Sequence, residues 1–171
     1  FSSGGEWTKI NENIRFKFHD AGHILGSAAI SLEINENNNV KNLVFSGDLG
    51  RDELPILRAP ENIQETAPTL IMECTYGNRT HQPMPQVFGK VKDIVKTAAR
   101  KKSKIIVPAF SLGRTQELIY ILHLLIKQKA IPKLPIYIDT PLGDKITKIF
   151  PRYAHLFDDD FRRELGDDGN A

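Results

Sequence analysis

Three side chains of metal-ligand type each follow a stretch that resembles a β-strand. His23 lies in "DAGHILGS" (20–27), Asp48 in "SGDLG" (46–50) and Glu73 in "TLIMEC" (69–74). Strand ends hold side chains rigidly at a shared cleft, and imidazole with carboxylate is the ligand chemistry of zinc and similar divalent ions. A carboxylate that bridges two metals helps to activate water for phosphoryl displacement. Metal-dependent hydrolysis is therefore one chemistry that these residues could perform.

Each of these residues also has a purely structural interpretation. Glycines stand close to both His23 and Asp48. Glycine lets the backbone approach an ion closely, but it equally suits a plain turn. An aspartate beside glycine commonly turns or caps the chain. The residues alone leave both interpretations open.

The composition is that of an ordinary globular protein. The 171 residues are 40% hydrophobic and 26% charged, with a net charge of +2, which fits one domain or parts of two and does not demand a nucleic-acid partner. The single cysteine, Cys74, excludes an internal disulfide and favours a reducing, cytoplasmic compartment. Its apolar neighbours predict a buried thiol. No apolar stretch reaches the length of a membrane helix.

The charge is unevenly distributed along the chain. Residues 90–104, "KVKDIVKTAARKKSK", are strongly basic, whereas residues 157–168 are acidic overall. The simplest interpretation of the basic stretch is a solvated helix whose cationic end complements the helix dipole.

The first half of the chain has the period of β-structure. Apolar and polar residues alternate over 13–20 and 28–34, and a third strand is predicted over 40–48 after a turn at 35–39. This order predicts an antiparallel meander. The continuous apolar run at 69–74 is typical of a strand buried on both faces.

The second half alternates helical and strand patterns. Helices are predicted over 84–102, 111–129 and 140–153, and buried strands over 104–110 and 134–139. Such alternation implies crossover connections. We therefore expect residues 104–108 and 134–139 to be neighbours or near-neighbours in a parallel sheet. The change of pattern lies near residue 80.

Four segments, in this order, resemble the metallo-β-lactamase-fold nucleases of the β-CASP group. They are "DAGHILGSA", "VFSGDLGR", "LIMECTYGNRTH" and "IIVPAFSLGRTQELIYIL". The resemblance implies an α/β fold: residues 1–80 as the later part of a metallo-β-lactamase αββα sandwich, and residues 81–171 as the start of an inserted, parallel α/β β-CASP domain. It also implies metal-dependent hydrolysis of RNA, with two divalent metal ions, zinc in the first instance.

The resemblance assigns roles residue by residue. His23 matches a ligand of one metal, and Asp48 matches the aspartate that bridges both. Glu73 matches an acidic residue that orients a catalytic-site histidine, and such outer carboxylates do raise ligand basicity. Arg114 follows a predicted strand and opens a helix, where anions are favoured, so it is a candidate phosphate contact. Its structural alternative is an ion pair with Glu117.

The family's main metal motif, His-x-His-x-Asp-His, is absent from these 171 residues. His19 does not replace it, because an alternating strand turns it away from His23. His123 lies in an apolar helix and is expected to be structural. We therefore expect a middle segment of the family's architecture, with RNA and the remainder of the same protein as partners and with homo-oligomers as a further option.

Two other functions remain open. A family member without the metal motif would serve as a non-catalytic, nucleic-acid-binding scaffold. A small-substrate metallo-hydrolase would use the same fold, although the α/β stretch after residue 80 argues against it.

Overall fold

The computed structural model describes residues 5–37 and 39–167. The chain divides into two compact units, Phe1–Arg79 and Thr80–Ala171. Strands form the regular structure of the first unit, and helices form that of the second. The predicted mixture of α and β structure is confirmed.

The first unit is built on one five-stranded sheet. Its strands are β1 (Thr8–Lys9), β2 (Ile14–Asp20), β3 (Ala28–Glu36), β4 (Asn39–Phe45) and β5 (Thr69–Ile71), and they lie in that order across the sheet. The first four strands pair antiparallel, whereas β5 pairs parallel to β4. The predicted antiparallel meander is confirmed. Residue 38, in the predicted turn at 35–39, lies outside the described residues.

The two faces of this sheet differ in character. Phe16 pairs with Leu32, and Leu32 pairs in turn with Leu43, so apolar side chains share one face. These side chains are only half-buried. The opposite face carries His19 and Ser31, both almost fully buried. The connecting segment, residues 46–68, contacts this face through Glu61 and Glu65, which lie 3.8 and 3.5 Å from the ring nitrogens of His19.

Strand β5 corrects two expectations. Residues 69–74 were predicted to be buried on both faces, but Leu70, Ile71 and Met72 are 57%, 51% and 59% exposed. Cys74, predicted to be buried, is exposed as well. The physical reason is position: β5 is the last strand of the sheet and pairs only with β4 within the described residues. An apolar run indicates that a segment tends to be buried. It does not indicate that a second strand lies beside that segment.

The second unit packs two long helices against each other. Helix α1 spans Met84–Lys101 and α2 spans Arg114–Lys127. Their contact is a cluster of buried aliphatic side chains, Val95, Ile121, Leu125 and Ile131. Within the described ranges, no helix combines the length and apolar character that crossing a membrane requires.

The end of the second unit folds around aromatic side chains. Helix α3 (Pro141–Thr147), a 3₁₀ helix (Phe150–Leu156) and α4 (Asp159–Asp167) follow one another. The ring of Phe157 is fully buried, stacks on Phe150 at 5.2 Å and meets Phe161 edge-on at 5.2 Å.

The predicted strands at 104–110 and 134–139 are not formed. Both segments lie outside the helices and strands of the described chain. Their most exposed apolar side chains are Ile106, Phe110 and Tyr137, at 90%, 82% and 85%. A strand needs a partner for its backbone N–H and C=O groups, and the described part of this unit has no sheet. The ends of the two segments do meet, because the hydroxyls of Ser111 and Thr140 lie 3.3 Å apart.

We predict that Phe157→Ala lowers the free energy of unfolding of the second unit by about 3–5 kcal/mol, since it empties the centre of the aromatic cluster. Chemical denaturation of the chain measures this change. Phe110→Ala is the matched control, because its ring is 82% exposed and exposed positions typically change stability by less than about 0.5 kcal/mol. Equal losses for the two variants would contradict this view of the core.

Candidate metal site

The loop that carries His23 connects β2 to β3 and is fixed by its own backbone. Gly22 has φ +60°, a conformation that side chains disfavour, and its N–H donates to Oδ1 of Asp20 at 2.8 Å. The hydroxyl of Ser27 accepts hydrogen bonds from the N–H groups of His23 and Ile24, at 3.1 and 3.2 Å. These contacts define the position of the His23 backbone. The histidine side chain remains 42% exposed.

The loop that carries Asp48 touches the His23 loop through backbone atoms. The N–H of Gly50 donates to the carbonyl oxygen of Ala21 at 2.7 Å. A Cβ at position 50 would lie 1.7 Å from the carbonyl oxygen of Gly22, so only glycine fits. The contact brings Oδ2 of Asp48 to 3.9 Å from Nε2 of His23. The Asp48 side chain is 73% exposed and accessible from solvent.

Glu73 follows β5 and fastens the backbone next to Asp48. Its Oε1 accepts a hydrogen bond from the N–H of Leu49 at 2.7 Å, and its own N–H donates to the hydroxyl of Ser46 at 3.0 Å. The Leu49 N–H, followed by the Thr75 side chain, lowers the pKa of Glu73, and the charge of His23 acts in the same direction. The structure therefore brings His23, Asp48 and Glu73 to one place.

The donors of this site fit a divalent metal in kind and in distance. Metal bonds of about 2 Å from each side can span the separation between the His23 nitrogen and the Asp48 oxygen. A catalytic zinc needs about three protein ligands and an open position. No cluster of three or more such donors occurs within residues 5–37 and 39–167. His23 and Asp48 form a pair of such donors, and Oε1 of Glu73 is hydrogen-bonded to the backbone of Leu49.

His19, which the sequence analysis excluded as a metal ligand, is buried next to the same region. His19 is 1% exposed, and its Nε2 lies 2.9 Å from the hydroxyl of Ser31 and 3.5 Å from Oε2 of Glu65. Its Nδ1 lies 3.8 Å from Oε1 of Glu61, whose N–H donates to the carbonyl of Asp20 at 2.8 Å. These contacts attach the connecting segment to the end of β2, directly before the His23 loop.

The sequence does contain a signal for this cluster. A histidine on the polar face of an alternating strand and two glutamates four residues apart in "ENIQE" (61–65) are visible in it. What the sequence lacks is the information that the connecting segment folds over that face.

Arg114 lies in the second unit, at the start of α2. Its Nη1 is 3.4 Å from Oε2 of Glu117, and its side chain is 63% exposed. The predicted structural alternative, an ion pair with Glu117, is therefore present. The preceding turn is held by Gln116, which accepts from the N–H of Gly113 at 2.8 Å and donates to the hydroxyl of Thr147 at 2.9 Å.

His123 lies on α2 and links it to α4. Its Nε2 is 2.7 Å from Oε1 of Glu164, the same oxygen that receives Lys127. The Lys127 and His123 hydrogen bonds lower the pKa of Glu164. This contact is structural, as expected for a histidine in an apolar helix.

Comparison of the sequence with known proteins relates the chain to one family. The Beta-Casp domain model matches residues 115–170. The chain is 30% identical over 156 residues to "Ribonuclease TTHA0252" of Thermus thermophilus, covering 91% of this chain and 34% of that protein. It is 32% identical over 158 residues to "Endoribonuclease ysh1" of Schizosaccharomyces pombe, covering 89% of this chain and 20% of that protein.

A third relative carries a different name. The chain is 38% identical over 138 residues to "Transcription termination factor FttA" of Methanothermobacter thermautotrophicus, covering 79% of this chain and 21% of that protein. These matches confirm the resemblance to the β-CASP ribonucleases that the four sequence segments indicate. The chain spans about a fifth to a third of the length of these relatives.

We predict that the carboxyl of Glu73 titrates below the value of about 4.3 for a free glutamate. A lowered native pKa stabilises the site above the unfolded pKa, and this contribution is lost as the pH falls through the native pKa. Carboxyl carbon shifts followed by NMR measure the midpoint. Thr75→Val removes one donor to Glu73 and should raise the midpoint, while a midpoint at or above the free value would contradict the contact with Leu49.

Proposed function

We propose that this chain is part of a metal-dependent ribonuclease of the β-CASP type. The observation that carries the proposal is the approach of Nε2 of His23 to within 3.9 Å of Oδ2 of Asp48, in a chain similar to proteins named ribonucleases. In this proposal residues 1–80 belong to a metallo-β-lactamase sandwich and residues 81–171 to the start of a β-CASP domain. RNA and the remainder of the same protein are its partners, and self-association is an additional option.

His23 and Asp48 have distinct roles in this proposal. His23 would hold one divalent ion, zinc in the first instance, and the two oxygens of Asp48 would serve both ions of a two-metal centre. When bound, such ions supply activated water and neutralise charge on the phosphate. Glu73 keeps Leu49 in place and thereby orients the carboxylate of Asp48, which is the neighbouring residue.

Arg114 is proposed as a contact for an RNA phosphate. It opens α2, where backbone N–H groups and the helix dipole favour anions, and its guanidinium is largely exposed. The 3.4 Å contact with Glu117 is a surface ion pair, and such pairs contribute little. A phosphate can therefore compete for Arg114 at little energetic cost.

A cytoplasmic location is part of the proposal. Cys74 is an exposed free thiol, and free thiols persist where the compartment is reducing.

We predict that Asp48→Ala abolishes RNA cleavage by the protein in its full natural length while the circular dichroism spectrum stays unchanged. The side chain is largely exposed, so its loss removes a metal ligand without opening a cavity. Asp52→Ala is the matched control, because Asp52 is an exposed carboxylate four residues along the same segment. Near-normal cleavage by purified, metal-supplemented Asp48→Ala protein would disprove the assignment and would favour a non-catalytic scaffold.

We predict that the isolated 171-residue chain binds zinc or manganese weakly and does not cleave RNA. Two donors in the His23–Asp48 pair fall short of the three that a catalytic zinc site needs. Calorimetric titration with each metal tests this expectation, with His23→Ala as the variant that should remove the residual binding. Two tight, stoichiometric sites, or metal-dependent cleavage by this chain alone, would show that the donor set is complete.

A further inference from the structure

The C-terminal end of α1 carries a cluster of cations, which we call the basic patch. It consists of Lys96, Arg100, Lys101, Lys102 and Lys104, all of them exposed. Among the described residues, none of the five forms an ion pair within 4 Å. Other cations of this unit do have acidic partners.

The contrast with those other cations is clear. Lys127 binds Glu164 and Lys148 binds Asp144, each at 2.7 Å. The unit therefore contains acidic residues that pair with lysine, but they lie elsewhere. The net positive charge of the basic patch remains available to a ligand.

Part of the basic patch borders a groove. The groove has a volume of about 630 Å³ and is lined by Asp93, Lys96, Thr97, Ala99, Arg100 and Pro132. Nη2 of Arg100 lies 3.3 Å from the hydroxyl of Thr97, so the guanidinium is directed along the helix. The lining contains one carboxylate, that of Asp93, and two cations, Lys96 and Arg100. The groove thus presents two cations, one carboxylate and one hydroxyl.

The helix dipole does not account for all of these charges. Cations in the last turn of a helix complement its dipole, which explains Arg100 and Lys101. Lys102, however, has φ +52°, in the left-handed region where glycine is usual at helix ends. Lys129, after α2 and three residues before the groove-lining Pro132, has φ +55°. A lysine at either position costs stability relative to glycine and adds a charge.

We propose that the basic patch of the second unit binds the phosphate backbone of RNA. The inference deepens the proposed function and rests on it. Several exposed lysines and an arginine without acidic partners are the electrostatic footprint of a phosphate-binding surface. The groove walls present no aromatic side chain, so bases would not be stacked there. The contact would therefore be insensitive to RNA sequence and strongly dependent on salt.

Charge reversal at the groove tests the proposal. The double variant Lys96→Glu/Arg100→Glu is made in the full-length protein together with Asp48→Ala, so that RNA is bound but not cleaved. The matched control is Lys148→Glu/Arg163→Glu, which changes the net charge equally at two cations of the same unit that already have acidic partners. Single-stranded RNA is titrated between about 50 and 200 mM salt.

We expect the groove variant to weaken RNA binding about tenfold or more and to reduce the slope of log affinity against log salt by about two. The control should change RNA affinity less than about threefold, since it alters the overall electrostatic field of the protein but no residue of the basic patch. No loss in the groove variant, or equal losses in both variants, would overturn the proposal. Polyglutamate that binds as tightly as RNA and shows the same loss would reassign the basic patch to an acidic protein partner.

Lys102→Gly provides a second, independent test. The substitution removes one positive charge, which should weaken RNA binding. It also places glycine in a left-handed conformation that lysine disfavours, so the melting temperature should stay equal or rise. Unchanged RNA affinity would exclude Lys102 from the contact. The two hypotheses fail separately. Cleavage that survives Asp48→Ala would refute the proposed function, whereas RNA binding that survives Lys96→Glu/Arg100→Glu would refute the role of the basic patch.

Discussion

The close backbone contact between two loops determines where the candidate metal site lies. The Gly50 N–H reaches the Ala21 carbonyl at 2.7 Å, and any side chain at position 50 would overlap the Gly22 carbonyl. No side-chain contact could hold the loops this tightly, because every side chain adds bulk between them. His23 and Asp48, one on each loop, are neighbours as a result. Their separation is therefore set by main-chain hydrogen bonding, which does not depend on the ionisation of either group.

The rest of the first unit keeps that contact from opening. The connecting segment begins at the Asp48 loop and crosses the polar face of the sheet, where His19, Ser31 and Glu65 anchor it. It then enters β5, and Glu73, two residues after this strand, accepts a hydrogen bond from the N–H of Leu49. The segment is thus fixed at both ends and in the middle. A loop of this length without regular structure would otherwise sample many conformations.

The sequence predicted those elements whose partners are close along the chain. Strands β2, β3 and β4 pair with their sequence neighbours, so alternation over 13–20 and 28–34 was sufficient. It did not predict the exposure of 69–74 or the lack of strands at 104–110 and 134–139. An apolar run indicates that a segment avoids water, whereas strand formation also requires a second backbone at hydrogen-bonding distance. The sequence of the segment alone does not show whether such a second backbone is present.

The same distinction explains why the sequence marked His23 and Asp48 as candidates but did not reveal the contacts of His19. Glycines beside a histidine or an aspartate mark a local geometry, and local geometry follows from neighbouring residues. The burial of His19 depends on Glu61 and Glu65, more than forty residues away along the chain. In the second unit the packing of α1 on α2 needs only the aliphatic cluster around Val95 and Leu125. The cations at the end of α1 take no part in that core, and repulsion among them is unfavourable. The helix dipole accounts for Arg100 and Lys101, but neither the dipole nor the core requires Lys96, Lys102 and Lys104, for which we propose phosphate binding.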